Sequence, residues 1–290
     1  MYIMNDFTLI PFNNIVKFGQ TTMLEQPLFN VSWILGRFCN YSCSYCWPYA
    51  NSNVPDHQDF EVYTNAIDEI KRQARENGFT DFHFSFSGGE PTAYKKFGDL
   101  VEYYANDNEA KYQSIHLTTN LSPGEKWWAR FINNTSHLTR RSITASYHAE
   151  FANEKDFENR CLQLMEGGVF VTINQVMVPE YFEEYYGRCS RFADKGINVT
   201  LKPQSDPTAS RIVDGYTNEQ IDKLQTGFPQ NWNGEQIMQM YLEDAKGNDY
   251  GLDQAERMNA FNFNKFKDWH CNAGYQSCII RGDEVKRAYS

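Results

Sequence analysis

No stretch of this chain stays apolar for the roughly 20 residues that a membrane-crossing helix needs. Nor does a basic segment followed by an apolar run open it, so neither a membrane span nor a secretory leader is expected. Positive charge is scarce: 27 Lys and Arg stand against 37 Asp and Glu, a formal net charge of −10. Gripping a phosphate backbone takes clustered cations, so nucleic acid is not the expected partner. Cysteine is sparse and odd in number, seven in 290 residues, with three crowded into one loop. That is not a secreted disulfide framework, and a reducing cytoplasm is the expected location. What is plentiful is apolar and aromatic material, 41% and 16% of residues, enough for a sizeable core. The length suits one large α/β domain, alone or with a small appendage.

Residues 1–28, punctuated by Pro11 and Pro27, read as an N-terminal extension or short hairpin. From Val31 a repeating pattern begins. A short apolar run (Val31 to Leu35) precedes a helix expected over 60–77, with Val62, Ala66, Ile67, Ile70 and Ala74 at helical spacing. Gly78 stops it. Strands follow at 81–86, 114–120, 141–146, 169–178 and 197–202, separated by helices at 97–105, after Pro123, at 155–165 and at 181–193. Strands alternating with helices imply right-handed crossovers and a parallel sheet. Six strands are too few for a closed eight-stranded barrel. The expected fold class is therefore α/β, an open partial (β/α)6 TIM-like barrel over 29–205. Residues 206–290 form a C-terminal extension: a linker, an irregularly helical stretch at 217–265, and a hairpin at 270–290. The hairpin turns at Gly282-Asp283, between Ile279-Ile280 and Glu284-Val285.

The densest chemistry lies in Cys39-Asn-Tyr-Ser-Cys43-Ser-Tyr-Cys46. Three thiolates on one short loop can hold three irons of a cubane cluster and leave the fourth iron open. The same three with His57 would make a zinc site, and the loop alone leaves both readings open. Gly88-Gly89-Glu90-Pro91 follows the second strand. Its glycines remove side chains where a ligand must approach the backbone, and Glu90 offers an acceptor for an ammonium group. A tight strand-to-helix turn with a solvated glutamate is the plainer account. Asn120 and Ser146 end later strands, as ligand contacts or as caps of the following helices. Loops at the carboxyl ends of parallel strands converge on one face, where the cysteine loop, the glycine pair and Asn120 all fall.

On these residues the chain resembles the radical S-adenosylmethionine (SAM) enzymes. The family's CxxxCxφC loop, with an aromatic φ, matches Cys39, Cys43, Tyr45 and Cys46, and its GGEP element matches Gly88 to Pro91. The resemblance covers about 30–205. It implies a [4Fe–4S] cluster on the three thiolates, with the amino and carboxylate groups of SAM on the fourth iron. One electron, from a donor such as a flavodoxin or ferredoxin, then cleaves SAM to methionine and a 5′-deoxyadenosyl radical that takes a hydrogen from substrate. By the same resemblance Tyr45 packs near the adenine, and Gly88, Gly89 and Glu90 hold the methionyl ammonium. Asn120 and Ser146 stand toward the carboxylate or ribose, with Asn174 and Lys202 on later strands.

Many peptide-modifying members carry Ser-Leu-Asp-Gly where this chain has Ser146-Tyr-His148, with Glu150 two residues on. His148 is thus a candidate catalytic group that positions or deprotonates substrate; the alternative is a hydrogen bond within its own loop. The tail resembles the start of a twitch or SPASM auxiliary-cluster module in Cys271, Ala273, Gly274, Ile280, Gly282 and Val285. That makes Cys271 and Cys278 candidates for an auxiliary cluster and a peptide or protein side chain the expected substrate. A small metabolite such as a sugar or nucleotide is the alternative. Cys161 and Cys189 read as buried thiols on helices. The reading from another class is a non-catalytic zinc-binding or interaction protein.

Overall fold

The computed structural model describes residues 15–22, 28–47, 51–230, 238–247, 249–252, 273–281 and 284–287. Its strands are β1 (Ile15–Thr22), β2 (Leu28–Ile34), β3 (Asp81–Ser87), β4 (Gln113–Thr119), β5 (Arg140–Tyr147) and β6 (Phe170–Met177). They continue with β7 (Asn198–Pro203), β8 (Met238–Asp244), β9 (Asp249–Leu252), β10 (Ser277–Arg281) and β11 (Glu284–Arg287). The helices are α1 (Phe60–Glu76), α2 (Phe97–Ala105), α3 (Glu125–Asn134), α4 (Glu154–Glu166), α5 (Phe182–Asp194), α6 (Asn218–Thr226) and the short α7 (Ala273–Gln276). The chain divides into two compact units, one of Met1–Glu25 with Trp232–Cys271 and one of Gln26–Asn231 with Asn272–Ser290.

The larger unit is built on one sheet in the order β11-β10-β2-β3-β4-β5-β6-β7. Every neighbouring pair from β10 to β7 is parallel, seven strands in all, and β11 closes the edge antiparallel to β10. The six expected strands are β2 to β7. Parallel neighbours need a crossover, and α1 to α5 supply them while covering one face of the sheet. That face carries the apolar half of each alternating strand: Phe82, Phe84 and Phe86 of β3 are fully buried, as are Ile115 and Leu117 of β4. Burying a side chain of this size stabilises the fold by roughly 1.5–3 kcal/mol. Helix α1 turns Tyr63, Ile67, Ile70 and Ala74 onto this layer, whereas Val62 stays exposed. Lys71 reaches the same layer because Asp107 pairs with it at 2.8 Å and the Tyr104 carbonyl accepts from it at 3.2 Å.

The other face is polar. In a closed eight-stranded barrel this face is filled by bulky branched side chains. Here the register sets Ser32 beside Ser85, Ser85 beside His116, and His116 beside Ser142. Two residues further along β4 and β5, Thr118 and Thr144 continue with Thr172 and Asn198 as a second row. Ser32 is exposed and the other side chains of both rows are half-buried. Several of these groups bond one another, His116 with Ser142 (2.8 Å) and Thr144 (3.1 Å), which satisfies polar side chains that would be costly unpaired in a packed core.

Two parts of the chain differ from expectation. The tail hairpin forms as β10 and β11, but it is an integral edge of the barrel's sheet, with Cys278 beside Val31 and Ile280 beside Trp33. Its turn at 282–283 lies outside the described residues. The stretch expected to be irregularly helical contains strands β8 and β9, which pair antiparallel with each other. In the smaller unit β8 also pairs antiparallel with β1, giving the order β1-β8-β9. Met238, Met240 and Leu242 alternate with polar or amphipathic residues, a strand signal ahead of the Gly247 turn.

Candidate active site

The cysteine loop leaves β2 as an extension of the sheet. Past the strand ends, Leu35 N–H donates to the Ser87 carbonyl (3.0 Å), Gly89 N–H to that of Gly36 (2.9 Å) and Glu90 N–H to that of Phe38 (2.8 Å). The pairing of β2 with β3 thus runs on into the loop. A Cβ on Gly88 would stand 2.5 Å from the Gly36 carbonyl oxygen, and one on Gly89 2.3 Å from those of Arg37 and Phe38. Gly88 also has φ +147°, a conformation that disfavours other residues. The close backbone approach that the glycine pair permits is therefore made by the chain's own cysteine loop. Asp56 completes the entry, its carboxylate accepting from the N–H groups of Arg37 (2.8 Å) and Phe38 (3.0 Å). Cys39 N–H donates to the Ser52 carbonyl (3.1 Å), and Cys46 N–H to that of Cys43 (3.0 Å) in a tight turn.

The thiols of this loop are poised as ligands that still hold their protons. Burial, then the charges of Glu150 and the other two thiols, pushes Cys43 up to about 12. Burial also raises Cys39 and Cys46. A thiophilic metal must displace these protons when it binds. Cys46 is solvent-exposed while Cys39 and Cys43 are half-buried. His57 packs its ring against Phe38 at 5.9 Å and Tyr94 at 5.1 Å. Among the described residues no three His, Cys, Asp or Glu side chains converge as a single ion would require. Cys39, Cys43 and Cys46 share one loop, and three such thiols could hold three irons of a cluster and leave the fourth open.

Beneath the loop lies Glu90, 2% exposed. Its Oε1 accepts from Thr92 N–H (3.0 Å), Thr92 Oγ1 (2.6 Å) and Thr119 Oγ1 (2.7 Å), and its Oε2 from Asn120 N–H (2.6 Å). Burial raises its carboxyl, an effect these donors oppose. Asn120 Nδ2 donates in turn to Asn40 Oδ1 within the cysteine loop (2.9 Å), while its Oδ1 accepts from Ser122 N–H (2.9 Å). Glu90 and Asn120 thus tie β3 and β4 to the loop.

The turn after β5 grips the loop from the other side. Tyr45 Oη and His148 Nδ1 share a hydrogen bond of 2.9 Å, and the two rings stack at 5.9 Å. Tyr41 stacks on Phe151 at 5.0 Å. Ser44 donates its N–H (3.0 Å) and its Oγ (2.6 Å) to the carboxylate of Glu150. Burial lowers His148 to about 4, so the ring is neutral at pH 7. It raises the Tyr45 hydroxyl well above its ordinary value. Tyr45 and His148 are legible in the sequence as separate candidates, but their pairing is not. Tyr41, Ser44, Asp56 and Phe151 carry no such signal, because contacts between distant segments leave no local pattern. Ser146 stands in register with Asn174, and Asn174 with Thr200, on the polar face. Lys202 is exposed at the end of β7. Cys161 and Cys189 are fully buried. Cys271 lies outside the described residues.

The Radical SAM superfamily matches residues 33–201, which contain the cysteine loop, Gly88 to Glu90, Asn120 and the turn at His148 to Phe151. The chain belongs to that superfamily. Membership implies a [4Fe–4S] cluster and SAM, and it agrees with a site in which three thiols meet a glycine-lined strand end. No curated protein matches the chain. Solved structures similar to this radical SAM chain include native anSMEcpe with bound AdoMet and Kp18Cys peptide, at 18% identity over 68% of this chain and 58% of that one, TM-score 0.50. A histidine-tagged form of anSMEcpe with bound AdoMet is similar at 20% identity over 62% and 52% of the two chains, TM-score 0.48. BtrN in complex with AdoMet and 2-DOIA is similar at 12% identity over 74% and 85%, TM-score 0.38. This chain spans about half the length of the anSMEcpe chain (52%). At these identities the likeness concerns the fold. No helix among the described residues is long and apolar enough to cross a membrane.

Proposed function

We propose that this protein is a radical SAM enzyme that abstracts hydrogen from a polar substrate held on the hydrophilic face of its sheet. The reading rests on the pairing of the cysteine loop with Gly89 and Glu90, which brings three thiols to the carboxyl edge of the barrel. Cys39, Cys43 and Cys46 would hold the cluster. Bound there, cluster and SAM together supply a one-electron cleavage that yields the 5′-deoxyadenosyl radical. The chain's own residues do the rest. Gly88 and Gly89 give the cysteine loop room beside β3 and Glu90 ties β3 to β4 beneath it, while Tyr45 would pack against the adenine and Asn120, Ser146, Asn174 and Lys202 would lie toward SAM or substrate. His148, neutral and bound to Tyr45, serves in this reading as a support of the loop more than as a proton acceptor.

For the substrate, the tail's likeness to peptide-maturase modules supports a peptide or protein side chain. The uncharged hydroxyl and amide lining favours a second reading, a small hydroxylated metabolite. An auxiliary cluster on Cys271 and Cys278 would require Cys278 to turn out of the core in which it is 7% exposed. The electron donor would be a small redox protein such as a flavodoxin or ferredoxin.

The experiment is anaerobic reconstitution with iron and sulfide, then reduction in the presence of SAM. Brown protein absorbing near ~400 nm and forming 5′-deoxyadenosine is expected. Cys43→Ala should form none. A protein that stays colourless and binds zinc instead would overturn the reading.

A further inference from the structure

Ser44 sits between two of the three cysteines, and both of its hydrogen-bond donors are engaged. The N–H and Oγ are taken by Glu150, which lies 106 residues later in the chain. Tyr45 is held by His148 and Tyr41 by Phe151, so three residues of the loop dock on one short turn after β5. A loop that must order itself as its ligand binds loses affinity to that ordering, and contacts made beforehand remove the cost. Glu150 also brings an acidic group beside the ligands. A neighbouring negative charge disfavours the reduced, more negative state of a cluster. A backbone N–H turned toward a carboxylate is one that does not donate to a cluster sulfur. Both effects lower the potential.

We infer that the turn His148 to Phe151 is a positioning element that presets the cysteine loop, and that Glu150 within it lowers the potential of the cluster the loop receives. The potential half rests on the function proposed above; the preset loop does not.

The test uses the full chain as parent, Glu150→Ala and Glu150→Gln. In the cluster-free protein, N-ethylmaleimide labelling of Cys43 and Cys46 is followed by peptide mass spectrometry. Glu150→Ala should accelerate labelling about tenfold, equivalent to about 1.4 kcal/mol. Glu150→Gln, whose amide oxygen still accepts from Ser44, loses the charge that acts on Cys43, so Cys43 should label faster while Cys46 stays within about twofold of the parent. Equal rates in all three proteins overturn the positioning role. Equal acceleration of Cys46 in both variants also overturns it, since the retained hydrogen bond would then do nothing for the loop. Should Glu150→Ala fail to fold, Ser44→Ala removes only the Oγ bond and should accelerate labelling about threefold. In reconstituted protein, a titration followed by electron paramagnetic resonance should give a higher potential for Glu150→Gln than for the parent. An unchanged potential overturns the electrostatic role. A parent that takes up no cluster sinks the proposed function and the potential half with it, while the labelling arm still decides the preset loop.

Discussion

Gly89 lies so close to Phe38 that a Cβ placed on it would stand 2.3 Å from the Phe38 carbonyl oxygen. The neighbouring Glu90 N–H donates to that same oxygen at 2.8 Å. This contact joins the two motifs of the site. The glycine is there so that the cysteine loop can lie flat against the end of β3, and the loop can do so because the glycine leaves room.

Gly89→Ala should therefore act on the loop and spare the sheet. The methyl group meets backbone atoms, which cannot swing aside as a side chain would, so the loop must move at a cost of about 1–3 kcal/mol. Far-UV circular dichroism should stay close to that of the parent, while iron bound per chain after reconstitution falls sharply. A variant that takes up a full cluster would mean that the contact is not what holds the loop.

The polar face gives a pH dependence. His83 Nδ1 is bonded to Ser114 Oγ at 2.8 Å, and His116 bridges Ser142 (2.8 Å) and Thr144 (3.1 Å). Burial, with His116 and Arg140 nearby, lowers His83 to about 4, and burial with Arg140 lowers His116 to about 4. Between the ordinary histidine value near 6.5 and about 4, the unfolded chain binds protons that the fold refuses. The contribution is thus fully present above about pH 6.5 and is lost as pH falls toward 4, on the order of 2–3 kcal/mol per ring. Urea denaturation at pH 7.5 and 5.0 should show a larger loss of stability for the parent than for the His83→Asn/His116→Asn double variant. Equal losses would refute it.

Cys278 tests the tail. It is 7% exposed in β10, beside Val31 of β2, and burial raises its thiol to about 11. In that environment it acts as a small apolar side chain. Cys278→Ala should leave iron per chain unchanged and cost about 1 kcal/mol of stability through the small cavity it opens. A drop in iron would instead show that this cysteine leaves the core to become a ligand.

Much of the architecture is legible locally. Phe82, Phe84 and Phe86 alternate with His83 and Ser85, so strand and core face both follow from a period of two. The helix over Phe60–Glu76 follows from Ile67, Ile70 and Ala74, and the motif residues Cys39 to Cys46 and Gly88 to Glu90 name themselves by type and spacing. These features are carried by neighbours along the chain, and backbone sterics and side-chain periodicity express them without help from the rest of it. Which of these pieces touch is a different matter, settled only when the chain folds. Strand β10 pairs in parallel with β2 about 250 residues away, β8 meets β1, and Glu150 closes on Ser44. Such contacts depend on how the strands order themselves in the sheet. A Glu in a loop looks the same in sequence whether it faces water or holds a cysteine loop in place.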